Sequence, residues 1–419
     1  MATPKLFAPF LTLFFLFLSI CAICQPQKLY LSPNAAGGAK QSKFIDSIRF
    51  IPLETNEHPI QSWNSVIVTK NYFVIPENIS NEVTLSFFKK DGKFIKQVSL
   101  KKYGEGTWPM YDEKEESLRI RAHNKNYTLT PNDMLDIKEN YASPSNQKYF
   151  KTYIIDLKDT TFKVQPAPTT PYDILNAGRY YDDYYSLSNI SSNKKYKDSL
   201  GYELRILLNN KTVKGFFPYN RQNDGRYQFG EENIFLTASD TPFIKYATRP
   251  FDYTVYKLVK DSLRPVYELV VPMENSLPKT FFTSGFSSKT DKDNYAQNHN
   301  GLVKQIYAFK ETSKFIYFQL GYLYYKYEGY LYDKAERKFY KTDKIKGDST
   351  QYNLQLLGNY GLGGNSNGKF YVTKKASELL EFYKANKEKN IVYPEALQDF
   401  LKTATEKSNP VIIEFTLKN

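Results

Sequence analysis

Short segments in which apolar and polar residues alternate recur along almost the whole chain, and they constrain its fold more than any other feature. This period-two pattern is typical of β-strands with one buried face. Clear examples are residues 65–68, 72–75, 153–156, 202–208, 315–320, 327–332, 369–373 and 411–417. Asp-Gly and Asn-Gly pairs between such segments suit the positive-φ positions of tight turns. The clearest predicted hairpin joins residues 83–88 to 94–98 through Asp91-Gly92.

The composition favours an all-β fold and excludes two other classes of chain. The 419 residues include 36 Tyr and 30 Phe and are 41% hydrophobic, which excludes a disordered chain and a collagen-like one. Aromatic rings pack well on half-buried pleated surfaces. No linker or change of composition divides the chain, which is too long for one sandwich. A propeller adds blades around one axis, so it is the predicted architecture.

Helical periodicity is concentrated near the C-terminus. Ser377 is a candidate cap for a run that ends at Glu388, and Pro394 suits the first turn of a second helix that contains Leu397 and Phe400. We expect two short helices that pack over the sheets.

The first 24 residues are typical of a secretory signal peptide. Lys5 is followed by an apolar stretch over 6–20, and cleavage before Gln25 would leave residues 25–419. The alternative is a lipoprotein signal with a lipid on Cys21, although Ile20 lies where such signals carry a small residue. Cys21 and Cys24 are the only cysteines, so the exported chain would contain no disulfide and no thiol nucleophile.

The chain is basic, with 57 Lys+Arg against 44 Asp+Glu and a net charge of +13. The lysines are dispersed in pairs: Lys89-Lys90, Lys101-Lys102, Lys194-Lys195 and Lys374-Lys375. No nucleic-acid-binding motif accompanies them, so we expect no nucleic-acid partner. The pattern favours a solvated surface, with attraction to anionic glycans or lipid headgroups as the alternative.

Four segments, taken in order, resemble a known family. They are Ile48–Thr55; Phe88–Val98 followed by Tyr103–Pro109; Pro250–Leu258 with Pro265–Leu269; and Tyr393–Phe400 with Ser408–Phe415. Together they resemble the six-bladed β-propellers of Bacteroidetes envelope proteins, which are relatives of NHL-type propellers. The sequence departs from the family's usual Gly-x-Gly-Pro-x-Glu-Tyr after residue 103, and 111–240 matches only loosely.

The resemblance implies a single propeller domain over residues 25–419, with six four-stranded antiparallel blades, located in the periplasm or cell envelope. It also implies that an N-terminal strand completes the last blade. Residues 44–53 and 411–417 are apolar strands at the two ends of this domain, and we expect them to pair and close the ring. The family implies no established activity.

Motifs for metal or nucleotide chemistry are absent from the sequence. His58, His123 and His299 are isolated, so zinc-ligand spacing is missing. Residues 291–294 (DKDN) lack the later Gly and Glu of a calcium-binding EF-hand and are predicted to form a solvated loop. Residues 363–369 match Gly-x-x-x-x-Gly-Lys, but Phe370 replaces the required Ser or Thr, and a turn between strands is predicted. We therefore expect no cofactor and no metal.

Carboxylates and tyrosines are the remaining candidates. Glu54, Glu105 and Asp252 could contribute to an acid pair for glycoside hydrolysis, but they equally suit turns and strand ends. The tyrosine-rich segments 180–185 and 322–330 could stack on sugars or hold a peptide. Packing within the blades is favoured for them.

The sequence therefore favours an exported, non-enzymatic propeller that binds a glycan, a peptide or an envelope protein through one face. It identifies no catalytic, cofactor-binding or metal-binding residue, and it leaves the ligand-binding residues open. A monomer is expected, with membrane contact only through a lipid on Cys21. The alternative function is an extracytoplasmic hydrolase or lyase that acts on an anionic polysaccharide.

Overall fold

The computed structural model describes residues 25–57, 59–60, 65–79, 82–104, 108–124, 126–130, 133, 148–170, 178–181, 184–188, 201–208, 211–219, 234–238, 244–283, 285–358, 365–366 and 368–418. The predicted signal segment, with Lys5, Cys21 and Cys24, lies outside these residues. Within them, the chain forms six small sheets that follow one another along the sequence as the blades of a β-propeller. The predicted fold class is confirmed.

The strands are numbered in chain order. Three precede the blades: β1 (Gln27–Tyr30), β2 (Gly37–Lys40) and β3 (Ile45–Pro52). Blade 1 contains β4 (Ile67–Val68), β5 (Tyr72–Ile79), β6 (Glu82–Lys89) and β7 (Phe94–Ser99). Blade 2 contains β8 (Trp108–Asp112), β9 (Ser117–His123), β10 (Phe150–Asp156) and β11 (Val164–Ala167). Blade 3 contains β12 (Gly178–Tyr181), β13 (Tyr184–Ser188), β14 (Gly201–Leu208) and β15 (Lys211–Tyr219).

The second half of the ring follows the same order. Blade 4 contains β16 (Phe235–Ala238), β17 (Ile244–Thr248), β18 (Thr254–Val259) and β19 (Ser262–Val270). Blade 5 contains β20 (Val303–Glu311), β21 (Phe315–Tyr322), β22 (Tyr327–Asp333) and β23 (Lys338–Lys346). Blade 6 contains β24 (Asn365–Ser366), β25 (Lys369–Lys374) and β26 (Val411–Leu417). Short 3₁₀ turns occupy Gln41–Lys43, Lys101–Tyr103, Met273–Asn275, Lys279–Phe282, Ser349–Gln351 and Lys387–Lys389.

The N-terminal strands run along the outside of three consecutive blades. β3 is antiparallel to β26, from Val411 opposite Pro52 to Leu417 opposite Ile45, and supplies the outer strand of blade 6. β1 and β2 are parallel to β19 and β23 and add a fifth strand to blades 4 and 5. Four strands are predicted for every blade. The fifth strands differ from that prediction because they cover backbone edges of β19 and β23 that would otherwise be unpaired.

The core lies mainly between neighbouring blades. Val74 and Phe87 of blade 1, for example, pack with Leu118 and Ile155 of blade 2, and all four side chains are fully buried. Because each blade buries both faces in this way, it needs its neighbours for stability.

Helices are inserted between strands. α1 (Lys289–Asn298) precedes blade 5, and α2 (Ala376–Ala385) and α3 (Glu395–Thr403) lie between β25 and β26. The predicted C-terminal helical patch is confirmed, but Ser377 is the second residue of α2 and not its cap, which is Lys375 in an extended conformation. Helices in the described part of the chain are too short or too polar to cross a membrane.

The two ends of the propeller differ in their connections. In a four-stranded antiparallel blade, the chain leaves at the end where it entered. The connections from the first to the second strand and from the third to the fourth therefore lie at one end of the propeller. The connections from the second to the third strand and between blades lie at the other end. One end, the hairpin end, has short turns such as 69–71, 90–93 and 312–314. The other end, the insertion end, has the long connections 124–149, 271–302 and 375–410. Binding residues are concentrated in loops that a rigid scaffold holds, so the insertion end is the first place to look for a site.

Candidate functional site

The turn between β21 and β22, at the insertion end, exposes several tyrosines. Tyr324, Tyr325 and Tyr327 expose 37%, 90% and 48% of their surface. Large contiguous apolar patches on protein surfaces often mark interaction sites. Phe235 and Tyr307 extend this surface, and the five residues together are called the tyrosine patch below.

Three rings of the patch form a row across two blades. The Phe235 and Tyr307 ring centroids are 5.6 Å apart, and those of Tyr307 and Tyr327 are 5.5 Å apart, both pairs edge to face. Phe235 opens β16 of blade 4, whereas Tyr307 and Tyr327 belong to blade 5. Edge-to-face contacts are a preferred arrangement of aromatic rings, so the row is a fixed surface rather than a set of independent side chains.

A glycine allows the row to lie flat on the sheet. A Cβ atom at Gly321 would meet Cε2 of Tyr307 at 2.4 Å and Cε1 of Tyr327 at 3.2 Å. Gly321 lies opposite Tyr327 in the β21–β22 pairing. The absence of a side chain at this position lets both rings pack against the backbone of β21.

A buried carboxylate holds the strand beneath the patch. Glu328 is 6% exposed, and it accepts hydrogen bonds from the hydroxyl groups of Tyr322 and Tyr330, both at 2.6 Å. Lys341 Nζ donates to it at 2.7 Å, and Lys326 Nζ lies 3.0 Å away. Glu328 follows Tyr327 directly, so these four contacts fix the position of the exposed ring.

The charges in this cluster stay fixed near neutral pH. Burial alone would raise the pKa of Glu328, but the hydrogen bonds from Lys341, Tyr322 and Tyr330 outweigh it and hold that pKa at about 2. Burial and the neighbouring carboxylate raise the pKa values of Tyr322 and Tyr330. The carboxylate therefore remains ionised and the phenols remain protonated, so the cluster supports the patch and does not exchange protons.

The 271–302 connection supports the other side of the tyrosine turn. Gln297 Nε2 of α1 donates to the hydroxyl of Tyr324 at 3.1 Å. The backbone N–H of Leu323 donates to the carbonyl of Leu302 at 3.1 Å. Leu323 and Leu302 also pack with Phe281 in a small apolar cluster. The long connection therefore stabilises the turn that presents the tyrosines.

Two of the three histidines lie among the described residues. His123 ends β9, His299 caps the C-terminus of α1, and His58 is outside the described residues. Within the part of the chain that the structure describes, no group of three His, Cys, Asp or Glu side chains is arranged to hold a metal.

Asp291 corrects one sequence prediction. Residues 291–294 lie on α1 rather than in a solvated loop. Ser288 precedes the helix in an extended conformation, and its side chain accepts a hydrogen bond from the backbone N–H of Asp291. The helix escapes a periodicity argument because its residues, 289–298, are almost all polar.

Gly363, Gly364 and Asn367 of the Gly363–Lys369 motif lie outside the described residues. Lys369 opens β25, as predicted, and its Nζ lies 2.9 Å from Oε1 of Glu414. The lysine that a phosphate loop would use is therefore paired with a carboxylate.

The candidate carboxylates are held by local contacts. Glu54 accepts a hydrogen bond from the backbone N–H of Phe94 at 2.9 Å. Asp252 accepts one from the N–H of Thr254 at 2.9 Å and pairs with Arg249 at 3.1 Å. Glu105 is outside the described residues. Glu54 precedes blade 1 and Asp252 belongs to blade 4, and both have turn and strand-end roles.

The tyrosine-rich segment 322–330 serves two purposes. Tyr322 and Tyr330 are buried in the blade, whereas the tyrosines between them are exposed. In the segment 180–185, β12 and β13 are paired, and its side chains are outside the described residues. Sequence reasoning missed Phe235 and Tyr307, because only the packing of blade 4 on blade 5 brings them to Tyr327.

Comparisons with known proteins agree with the fold. Residues 30–107 match the model of a family described as "6-bladed beta-propeller". A Bacteroides fragilis protein described as exported is similar over 94% of this chain and 100% of its own, with 14% identity and a TM-score of 0.55. A member of the DUF4221 family from Bacteroides vulgatus is similar over 90% of this chain and 99% of its own, with 8% identity and a TM-score of 0.40. No curated protein matches this sequence. The predicted resemblance to six-bladed propellers is confirmed.

Proposed function

We propose that this chain is an exported binding protein of the cell envelope that holds a glycan on the tyrosine patch. The observation that carries the proposal is the partly exposed row of Phe235, Tyr307 and Tyr327 at the insertion end. Export is supported by the signal-like residues 1–24 and by similarity to a Bacteroides fragilis protein described as exported.

The chemistry of the patch suits sugars. Tyrosine presents a flat apolar face that stacks on the C–H face of a sugar ring, and its hydroxyl exchanges hydrogen bonds with sugar hydroxyls. Its side chain has few rotatable bonds, so it loses little conformational entropy on binding. Glu328 and Gly321 hold the rings in place before a ligand binds. This favours affinity because less conformational entropy is lost on binding.

The alternative hydrolase or lyase has less support at this position. General acid–base catalysis needs a group whose pKa lies near the working pH. The carboxylate beside the patch has a pKa of about 2, and the adjacent phenols have raised pKa values. We therefore assign binding, not turnover, to the tyrosine patch.

A glycan panel with matched variants tests the proposal. Neutral and acidic oligosaccharides are screened by thermal shift, and the glycan with the largest shift is titrated calorimetrically. Tyr327→Ala and Tyr325→Ala should each weaken binding by roughly ten-fold, since stacking on one aromatic contributes about 1–3 kcal/mol in nucleic-acid binding. Tyr30→Ala is the control, because Tyr30 is 70% exposed on β1 at the outer edge of blade 4.

Two results would overturn the assignment. One is a glycan that binds all three variants as tightly as the unmodified chain, which would place the site elsewhere. The other is a panel in which peptides stabilise the chain through the same tyrosines and no glycan does.

A further inference from the structure

A lysine at the hairpin end is partly buried, and no acidic side chain among the described residues forms a salt bridge with it. Lys90 lies in the turn between β6 and β7, and its Nζ is 4.2 Å from the ring centroid of Phe73 and 5.7 Å from that of Tyr371. In the described part of the chain, the hydrogen bonds and salt bridges do not include this ammonium. Rings from two blades therefore contact an ammonium group that has lost water and that forms no salt bridge with a carboxylate of the described residues.

Two further cations lie beside Lys90 on blade 6. Tyr371, Glu414 and Arg49 lie side by side across β25, β26 and β3. Lys369 Nζ and the Tyr371 hydroxyl both bind Glu414, each at 2.9 Å. The Arg49 Nη2 donates to the backbone carbonyl of Lys90 at 3.3 Å. One carboxylate therefore faces three cations.

The imbalance is unfavourable for the charged form of Lys90. Burial lowers the pKa of Lys90 to about 8, and Lys369 and Arg49 act in the same direction, whereas Glu414 only partly opposes them. A desolvated charge requires a partner of opposite sign to offset the loss of water. Glu414 already accepts hydrogen bonds from two other groups, so the missing partner is an additional negative charge.

We propose that Lys90, Arg49 and Lys369 form a binding site for an oxyanion group: a sulfate, a phosphate or a carboxylate. Arg49 is exposed and Lys369 is 45% exposed in its side chain, so an anion reaches the cluster from solvent. Guanidinium and ammonium groups are the usual donors to such anions. The site lies at the end of the propeller opposite the tyrosine patch and is independent of the proposed glycan site.

The test compares three charge-reducing variants of the full chain. Sulfate and inorganic phosphate are titrated by calorimetry and by thermal shift, against sodium chloride at equal ionic strength. Lys90→Met keeps the length of the stem and should lower sulfate affinity by about ten-fold or more, as expected for the loss of a hydrogen bond from a charged group. Arg49→Gln should also weaken sulfate binding while Lys90 stays in place.

Lys89→Met is the matched control, because Lys89 is exposed one residue away and the net charge changes equally. It should retain the affinity of the unmodified chain. The general stabilising effect of sulfate on folded proteins is common to all the variants and cancels in their comparison. Equal sulfate responses of Lys90→Met and Lys89→Met would overturn the proposal, and so would the absence of sulfate binding to the unmodified chain.

The pH dependence provides a second readout. The groups that face Lys90 are Glu414, Tyr371, Lys369 and Arg49. Since Lys90 loses its proton around pH 8, sulfate affinity should fall between pH 7 and pH 9. It should stay constant over this range in Lys90→Met, and a constant affinity in the unmodified chain would contradict the assignment.

The anionic group could belong to a soluble glycan or to a lipid headgroup. A sulfated disaccharide and vesicles of phosphatidylglycerol distinguish these sources. If Lys90→Met weakens binding to one of these probes, the result supports the site and identifies the source of the anion. If the chain binds both probes and Lys90→Met changes neither affinity, the result counts against the site.

Discussion

Glu328 at the insertion end and Lys90 at the hairpin end are charged groups that are removed from water, but they differ in their partners. Glu328 has two phenols and two ammonium groups as donors, and these hold its pKa at about 2. Among the described residues, Lys90 Nζ lies against the rings of Phe73 and Tyr371 and forms no salt bridge, and burial lowers its pKa to about 8. A satisfied charge fixes structure, whereas an unsatisfied charge leaves room for a ligand. We therefore infer that Glu328 has a structural role beneath the tyrosine patch and that Lys90 binds an anionic ligand.

The largest expected effect on stability comes from removing the carboxylate of Glu328. Glu328→Gln should lower the free energy of unfolding by roughly 3–5 kcal/mol, because it removes the close carboxylate partner of the partly buried Lys341 and leaves that ammonium only the more distant Asp343, 3.8 Å away. Glu336→Gln is the control, since Glu336 pairs with Lys43 at an exposed position and should change stability much less than Glu328→Gln does. Urea unfolding measures the free energy of unfolding of both variants. Equal losses of stability would contradict the special role of the buried carboxylate at Glu328.

Low pH should abolish the contribution of Glu328 to the stability of the fold. A carboxylate whose pKa is lowered from 4.5 to about 2 in the folded chain stabilises the fold above the unfolded-state pKa, and this stability is lost as pH falls towards 2. The stability difference between the unmodified chain and Glu328→Gln should stay level from pH 7 to about pH 5. It should then shrink by on the order of 3 kcal/mol towards pH 2. A difference that stays level down to pH 2 would contradict the assigned role.

Gly321→Ala should disturb the patch with a smaller cost. The new Cβ would displace the Tyr307 ring, and overpacking of this kind costs about 1–3 kcal/mol. Calorimetry should also show weaker glycan binding, because the row would no longer lie flat. Gly358→Ala is the control, since a Cβ at Gly358 has no atom within 4 Å. Unchanged glycan affinity in Gly321→Ala would separate the row from the binding site.

The smallest effect has the opposite sign. Lys90→Met should raise the free energy of unfolding by about 1 kcal/mol at pH 7 in buffer without multivalent anions, because it removes a desolvated charge that partly contacts water. This gain should shrink as pH rises from about 8 to 10.5, where Lys90 is neutral in the folded chain but charged in the unfolded one. Urea unfolding at pH 7 and pH 10 checks it, and destabilisation at pH 7 would show that Lys90 already has its partner.

Local rules predicted the parts of the fold that depend on neighbours in sequence. The Asp91-Gly92 turn joins β6 to β7, and Gly92 has the positive φ of 92° that such a turn requires. The C-terminal helices follow from apolar periodicity and Pro394. β1 and β2 escaped prediction because they are four residues long and pair with strands more than 200 positions away. α1 escaped because it is polar.

The candidate sites depend on contacts between blades, which the sequence does not display. Lys89-Lys90 looks like any other surface pair, yet only Lys90 packs against rings from blades 1 and 6. Tyr307 looks like an ordinary strand residue until Phe235 of blade 4 lies beside it. The segment 322–330 signalled an aromatic cluster, but the division into buried and exposed tyrosines follows from the turn at 323–326.

Hydrogen–deuterium exchange of the full chain, with and without the neutral oligosaccharide that gives the largest thermal shift, tests the central claim most directly. Binding to the tyrosine patch predicts slower exchange in peptides that cover 303–311 and 321–330, and no change in the hairpin-end turns 90–93 and 334–337. Protection confined to the hairpin-end turns would contradict the assignment of the glycan site to the insertion end.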